Sequence, residues 1–233
     1  MNTRTSKILL ATLCTLASLH AQAGRPLVTE DAGVLEPGAC EVESFASRQR
    51  EPSSPRVSGV SLQLGCGVGM RTQVALAGAG ERSDGETSRA WTFSGKTALN
   101  EPAGDGPAYT LAWGAASLRQ PGGSHRHEDS FLNGVMSLPW GDDLTLHANL
   151  GWSRSESARQ NTTGWALALE HATTPTISLM TEAFATDRDH APWVQLAARW
   201  TLVPERLFID GSWGLQTTGQ RPKMVTLGLK ASF

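Results

Sequence analysis

The final ten residues, Met224-Val225-Thr226-Leu227-Gly228-Leu229-Lys230-Ala231-Ser232-Phe233, alternate with period two. Val225, Leu227, Leu229, Ala231 and Phe233 share one parity, and Thr226, Gly228, Lys230 and Ser232 the other. Successive side chains of an extended strand face opposite sides, so one face of this strand meets an apolar medium and the other a polar one. Ser61–Val68 alternates in the same way. So does Leu144–Ser153, where Leu144, Leu146, Ala148, Leu150 and Trp152 interleave with Thr145, His147, Asn149, Gly151 and Ser153. A chain made of many such segments, each about ten residues long and bounded by turns, is confined to an antiparallel sheet with one apolar face. Such a sheet disposes of its edges by closing on itself.

Twelve strands are predicted, at approximately 40–50, 57–68, 72–80, 89–99, 108–118, 131–139, 143–153, 163–171, 176–186, 193–202, 207–216 and 223–233. No segment reads as a convincing helix, and no apolar run beyond the N-terminus approaches the ~18 residues of a transmembrane helix. The expected fold class is all-β: an antiparallel up-and-down transmembrane β-barrel of about 12 strands. An even strand count returns both termini to one side, as single-chain outer-membrane barrels require. With the N-terminus periplasmic, short turns are expected at Gly69-Met70-Arg71, Trp140-Gly141-Asp142 and Val203-Pro204-Glu205-Arg206, and external loops at Arg119–Ser130 and Arg154–Thr162. Asn100–Pro107 is longer, and Arg188–Pro192 shorter, than this rule prefers. Eight tryptophans, most near predicted strand ends, fit the aromatic girdles of a membrane barrel. The competing account is the core of an exported β-sandwich.

Residues 1–23 read as a signal peptide. Arg4 and Lys7 precede the apolar run Ile8–Leu19, and Ala21-Gln22-Ala23 is a small-residue cleavage site. Cys14 follows Leu13, not the small residue a lipid-acceptor cysteine needs. Cleavage after Ala23 removes two of the 20 basic residues and none of the 22 acidic ones, leaving a formal charge of −4. That balance, without a basic cluster, excludes nucleic acid as a partner. Residues 24–39 then form an N-terminal periplasmic or lumen segment, and 40–233 the barrel.

Cys40 and Cys66 are the two cysteines of the mature chain, in a compartment that permits disulfides. If the first hairpin turns around Ser53, positions facing each other sum to 106, as these two do. The same register sets Val42 against Leu64, Ala46 against Val60 and Glu43 against Gln63, like facing like. A Cys40–Cys66 disulfide at the periplasmic end of the hairpin is expected. It closes a loop of about 27 residues, and in the chain-entropy model it stabilises by ~3–4 kcal/mol.

The inward parity carries Glu43, Lys96, His147, Glu170, Glu182, Arg199, Asp210 and Lys230. A Lys or Arg facing lipid near the midplane costs ~2–4 kcal/mol, so these groups are expected to point into the lumen. There they either lock a narrow barrel through ion pairs or line a polar pathway. No aromatic stripe is evident on the inward parity. Twelve strands enclose an interior between packed eight-stranded and open sixteen-stranded barrels, consistent with a narrow or plugged channel.

Other motifs carry less. Gly95-Lys96-Thr97 matches the end of a phosphate-binding loop, but Ala90 stands where its first glycine belongs. His125-Arg126-His127-Glu128-Asp129 holds metal-binding residue types and reads as a solvated external loop. Asn161-Thr162-Thr163 matches a glycosylation sequon by chance. A barrel lipase or deacylase needs a nucleophile beside a His and an orienting carboxylate. His147 is followed on its face by Asn149 rather than Ser, so no enzyme, cofactor or metal is expected.

Arg25-Pro26-Leu27-Val28-Thr29-Glu30-Asp31-Ala32, with Gly38, Cys40, Glu41 and Glu43 after it, resembles the opening of a family of outer-membrane barrels. These are described as transporters, or as related to the "MetA-pathway of phenol degradation" proteins. The motif residues are Arg25, Pro26, Leu27, Thr29, Glu30, Asp31 and Ala32. The closing strand ending on Phe233 is similar to that of outer-membrane barrels in general. The resemblance implies a twelve-stranded barrel inserted in the bacterial outer membrane, among its lipids, by the outer-membrane assembly machinery, with Phe233 as the assembly signal. The function it implies is a narrow channel or transporter for small solutes. The alternatives are a structural or interaction barrel acting through its external loops, or a lipid-modifying enzyme. Glu30 and Asp31 are placed either in the lumen against Arg199 or Lys230, or in a periplasmic tail.

Overall fold

The computed structural model describes residues 27–52, 54–189 and 191–233. The signal peptide and its cleavage site, Arg25 and Pro26 of the opening motif, and Ser53 at the first turn lie outside the described residues. The strands are β1 (Cys40–Arg50), β2 (Val57–Gly69), β3 (Thr72–Ser83), β4 (Glu86–Ala98), β5 (Ala108–Arg119), β6 (Arg126–Trp140), β7 (Leu144–Ser155), β8 (Gln160–Thr174), β9 (Ile177–Thr186), β10 (Trp193–Val203), β11 (Leu207–Gln216) and β12 (Lys223–Ser232). Each pairs antiparallel with its neighbours in sequence, and β12 pairs with β1, which closes an up-and-down barrel.

The alternation builds the barrel inside out. Leu62, Leu150 and Leu227 are 58%, 67% and 62% exposed on the outer wall. Side chains of the opposite parity, such as Ala77, Ala112, Ala168, Gln195 and Asp210, are buried in the interior. An outer surface this apolar belongs in lipid, where closure satisfies every strand hydrogen bond and leaves no edge.

The first hairpin has the expected register: Cys40 faces Cys66, Val42 faces Leu64, Glu43 faces Gln63 and Ala46 faces Val60. Cys40 and Cys66 form a disulfide. Cys40 also exchanges two backbone hydrogen bonds of 2.8 Å with Phe233, so one residue ties together the first hairpin and the closing seam. We call this the terminal end of the barrel and its opposite the far end.

Several strands run longer than the alternation indicated. β6 begins at Arg126 and β8 spans Gln160–Thr174, so the connections expected at Arg119–Ser130 and Arg154–Thr162 shrink to 120–125 and 156–159. Beyond the apolar band both faces of these hairpins are polar, and ladder pairing continues without a hydrophobic pattern to mark it. The longest connection, 99–107, lies at the terminal end. The Asn100 amide braces it, donating to the Pro107 carbonyl (2.8 Å) and accepting from Tyr109 N–H (2.7 Å). Trp140, Trp152, Trp165 and Trp200 are exposed on the outer wall near strand ends. Trp193 instead shares the inward parity of Gln195 and stacks on Phe184, with ring centroids 6.1 Å apart.

Candidate functional site: a lumen holding the N-terminal segment

Residues 27–39 precede β1 and run inside the barrel. At the terminal end the segment lies against β2. Pro37 bridges to Gly67, Gly38 N–H donates to the Gly67 carbonyl (3.0 Å), and Gly67 N–H donates to the Ala39 carbonyl (2.9 Å). Position 67 has to be glycine, because a Cβ there would collide with the carbonyl oxygens of Leu35 and Glu36. From this root the segment crosses the lumen, meeting an inward side chain of one strand after another. Leu35 N–H donates to Gln73 of β3 (2.8 Å). The Asp31 carbonyl accepts from Lys96 of β4 (2.7 Å) and the Ala32 carbonyl from Thr110 of β5 (2.6 Å). Ala32 N–H donates to Ser137 of β6 (2.8 Å). The Asn149 amide of β7 pairs with both backbone groups of Glu30, at 2.7 and 3.0 Å. At the tip, Glu182 of β9 accepts from Val28 N–H (2.8 and 3.0 Å), Thr29 N–H (2.8 Å) and the Thr29 hydroxyl (2.7 Å).

An irregular segment in a barrel has no ladder to satisfy its backbone, and an unpaired buried amide costs ~1–3 kcal/mol. Polar residues at inward positions supply those partners. Leu27, Thr29, Glu30 and Ala32 are all buried. Asp31 makes its ion pair with Lys96 at 3.6 Å, rather than with the expected Arg199 or Lys230. Lys230 is held by Glu41 and Glu43, the latter at 3.3 Å across the closing seam.

The other inward groups sit as follows. Glu43, His147, Glu182 and Asp210 are buried. The Arg199 guanidinium lies 5.9 Å from the centroid of the Phe208 ring, and Arg199 faces Asp210 in the β10–β11 register. His147 Nε2 is 3.6 Å from a carboxylate oxygen of Glu170. Its Nδ1 is 2.8 Å from the Ser137 hydroxyl, a residue the sequence reading did not single out. Serine, histidine and carboxylate therefore do converge. The serine oxygen, however, already accepts the Ala32 N–H and lies under the segment, an arrangement that fastens the backbone rather than presenting a nucleophile.

Above the segment the lumen opens. A cavity of about 420 Å³ extends from the far-end connections, where Ser157 and Arg188 line it, down to Val28 and Glu30. Its walls carry Phe45, Phe131 and Phe184, so inward aromatics are present after all, spread over three strands instead of striping one. Glu30 also lines a second cavity of about 30 Å³ with Gln73 and Lys96. It thus stands between the two spaces, only 4% exposed, and its Oε2 has no hydrogen-bond partner. Burial pushes the Glu30 carboxyl up to about 7, with Lys96 pulling it down and Asp31 and Glu43 adding to the rise. Among the described residues no group of three or more His, Cys, Asp or Glu side chains is placed to hold a metal ion.

Residues 11–233 match the family described as "Uncharacterised conserved protein UCP029691". The chain belongs to that family. No curated protein matches it in sequence. Among solved structures it is similar to the COG4313 outer membrane channel from Pseudomonas putida F1, with a TM-score of 0.66 and 12% identity over 87% of this chain and 98% of that one. It is also similar to the KdgM porin in complex with disordered oligogalacturonate (TM-score 0.59, 9% identity, 83% and 99% covered). The NanC porin gives a TM-score of 0.57 at 9% identity, with 82% and 98% covered. At these identities the likeness establishes the fold, a closed barrel of the kind that spans outer membranes.

Proposed function

We propose that this chain is a narrow outer-membrane channel for small solutes, closed toward the periplasm by its own N-terminal segment. The observation that carries the reading is the division of the lumen. A cavity of about 420 Å³ opens at the far end and stops on Val28 and Glu30. Below them the passage holds residues 27–39, bonded to strands β3, β4, β5, β6, β7 and β9. A barrel built only to present loops needs no interior space, and its far-end connections are too short to form a large surface. The similar porins and channels support the same reading by fold. So does the finer resemblance to phenol-pathway barrels carried by Leu27, Thr29, Glu30, Asp31 and Ala32. In this reading the signal peptide directs export, Phe233 engages the assembly machinery, and the inward ionisable groups hold the segment rather than coat an open pore.

The test is single-channel recording of the refolded, signal-cleaved protein in planar bilayers, after a heat-modifiable gel shift has shown a folded barrel. Discrete steps are expected, with long closed intervals that shorten when the segment is loosened. A folded barrel that never conducts, with the segment intact or loosened, refutes the channel.

A further inference from the structure

The far-end cavity is apolar on its walls and acidic at its floor. Phe45, Phe131 and Phe184 project into it between small residues such as Ala79, Ala116 and Gly151. Among the described residues that line it, five are carboxylates (Glu30, Glu43, Glu128, Asp129, Asp189) and one is a cation, Arg188 at the rim. Most of those carboxylates are occupied or rim-exposed: Glu43 by Lys230, Glu128 by the Ser155 and Ser157 hydroxyls, Asp189 by Thr186. Glu30 differs. It is 96% buried, its backbone is pinned by both ends of the Asn149 amide, and its Oε2 accepts nothing. A buried carboxyl with an unpaired oxygen is costly, and an apolar cavity lined by such a residue selects a ligand that supplies the missing partner once the side chain turns toward it. Aromatic faces attract cations as well, because the ring quadrupole is negative on its face.

We infer that the far-end cavity binds a small organic cation, a primary ammonium on an aromatic or aliphatic body, with the ammonium donating to the Glu30 carboxylate and the body lying among Phe45, Phe131 and Phe184. The volume of about 420 Å³ falls within the ~300–1,000 Å³ range of small-molecule sites. The ammonium replaces the hydrogen bond Glu30 lacks, and the phenylalanines take up the apolar surface. An anion of the same shape meets the Glu30 charge, and a neutral isostere forfeits the ion pair. The inference rests on the channel reading, of which it names the solute class.

The probe is 2-phenylethylammonium, compared with 2-phenylethanol and 3-phenylpropionate. Binding is measured by calorimetry at pH 8, where Glu30 is ionised, on the signal-cleaved protein in lipid nanodiscs, with empty nanodiscs as the baseline for partitioning. Quenching of Trp193, which stacks on the cavity-lining Phe184, gives a second readout. The ammonium is expected to bind at least tenfold more tightly than the alcohol, and the carboxylate not to bind. Glu30→Gln keeps the backbone bonds to Asn149 and removes the charge, so the ammonium's advantage over the alcohol should shrink to within about twofold. Glu30→Gln protein is used only if its gel shift matches the wild type; if it does not, the wild-type ranking of the three probes decides. Equal affinity for ammonium and alcohol, measurable binding of the carboxylate, or undiminished selectivity in Glu30→Gln overturns the assignment. Conductance recorded on the same preparation separates the two claims. Conductance without ammonium selectivity refutes this site alone, and selective binding without conductance refutes the channel alone.

Discussion

Glu182→Ala isolates the clamp at the tip of the N-terminal segment. Glu182 is 3% exposed on β9 and its carboxylate accepts from Val28 N–H, Thr29 N–H and the Thr29 hydroxyl, all at 2.7–3.0 Å. Hydrogen bonds to a charged acceptor are worth ~1.5–3 kcal/mol each, so three donors bound the gross interaction at ~4.5–9 kcal/mol. The net loss is smaller. The carboxylate is desolvated whether or not the segment is docked, and water entering the truncated site solvates the freed donors. Removing one side of a buried charged contact costs about 3–5 kcal/mol. At 1.4 kcal/mol per decade that is roughly a 10²- to 4 × 10³-fold shift toward the undocked segment. The barrel itself should persist, because its strand ladders do not involve Glu182's side chain. The assay is open probability in planar bilayers, with limited proteolysis near residues 27–35 as a second readout. Open probability should rise by at least tenfold and cleavage should accelerate in parallel. Glu182→Gln, which keeps one carbonyl acceptor and loses the charge, should fall between. A Glu182→Ala protein with a normal gel shift, open probability within threefold of wild type and an equally protected segment would show that the segment is not held by this clamp.

Three further outcomes follow from the same contacts. The Glu30 carboxyl sits at about 7 when buried against an ordinary 4.5, so docking is favoured while it is protonated. That contribution is complete below about pH 4.5 and is lost as pH rises through 7, so open probability should climb between pH 5 and 8 and stay flat in Glu30→Gln. Replacing Cys40 and Cys66 with serine removes the tie at the root of the segment and the closing seam; the heat-modification midpoint on gels should fall, and an unchanged midpoint would mean the backbone pairing there suffices. Ser137→Ala removes one neutral anchor worth about 1 kcal/mol and should raise open probability about fivefold, and covalent capture of wild-type Ser137 by a fluorophosphonate would overturn its assignment as an anchor.

The barrel was legible in the chain because lipid and lumen impose opposite demands on alternate residues. Val225, Leu227 and Leu229 against Thr226, Gly228 and Lys230 needed no tertiary information to be sorted. Where that pressure ends, legibility ended with it: Arg126–Ser130 and Gln160–Thr162 are strand in the structure, yet both faces are polar and the sequence showed only loop. The hairpin sum that paired Cys40 with Cys66 works because a tight turn fixes every opposite position at once. In the β6–β7 hairpin the observed register centres on Asp142, so Ser137 faces His147, the pair the structure joins at 2.8 Å; a turn at Trp140-Gly141-Asp142 would have set Ser137 against Thr145 instead. One residue in the turn was enough to hide that contact from the sequence. The bond between Lys230 and Glu43 was further out of reach, since it crosses the seam between first and last strands and depends on closure rather than on any turn.

The N-terminal segment marks the deeper limit. Its partners lie up to 154 residues away and are reached through backbone N–H and carbonyl groups, which every residue possesses and no sequence pattern distinguishes. What sequence could register was a surplus: Gln73, Asn149, Ser137 and Glu182 are hydrogen-bonding side chains facing inward, in excess of what strand neighbours could satisfy. A barrel that merely locks itself shut would pair such groups with each other, as Lys230 pairs with Glu41 and Glu43. Acceptors such as Glu182, aimed into a narrow lumen without a facing cation, instead require donors from outside the sheet, and residues 27–39 provide them. By the same logic Glu30 Oε2, still without a donor once the segment is docked, is the place where the chain's own supply stops and a solute's begins.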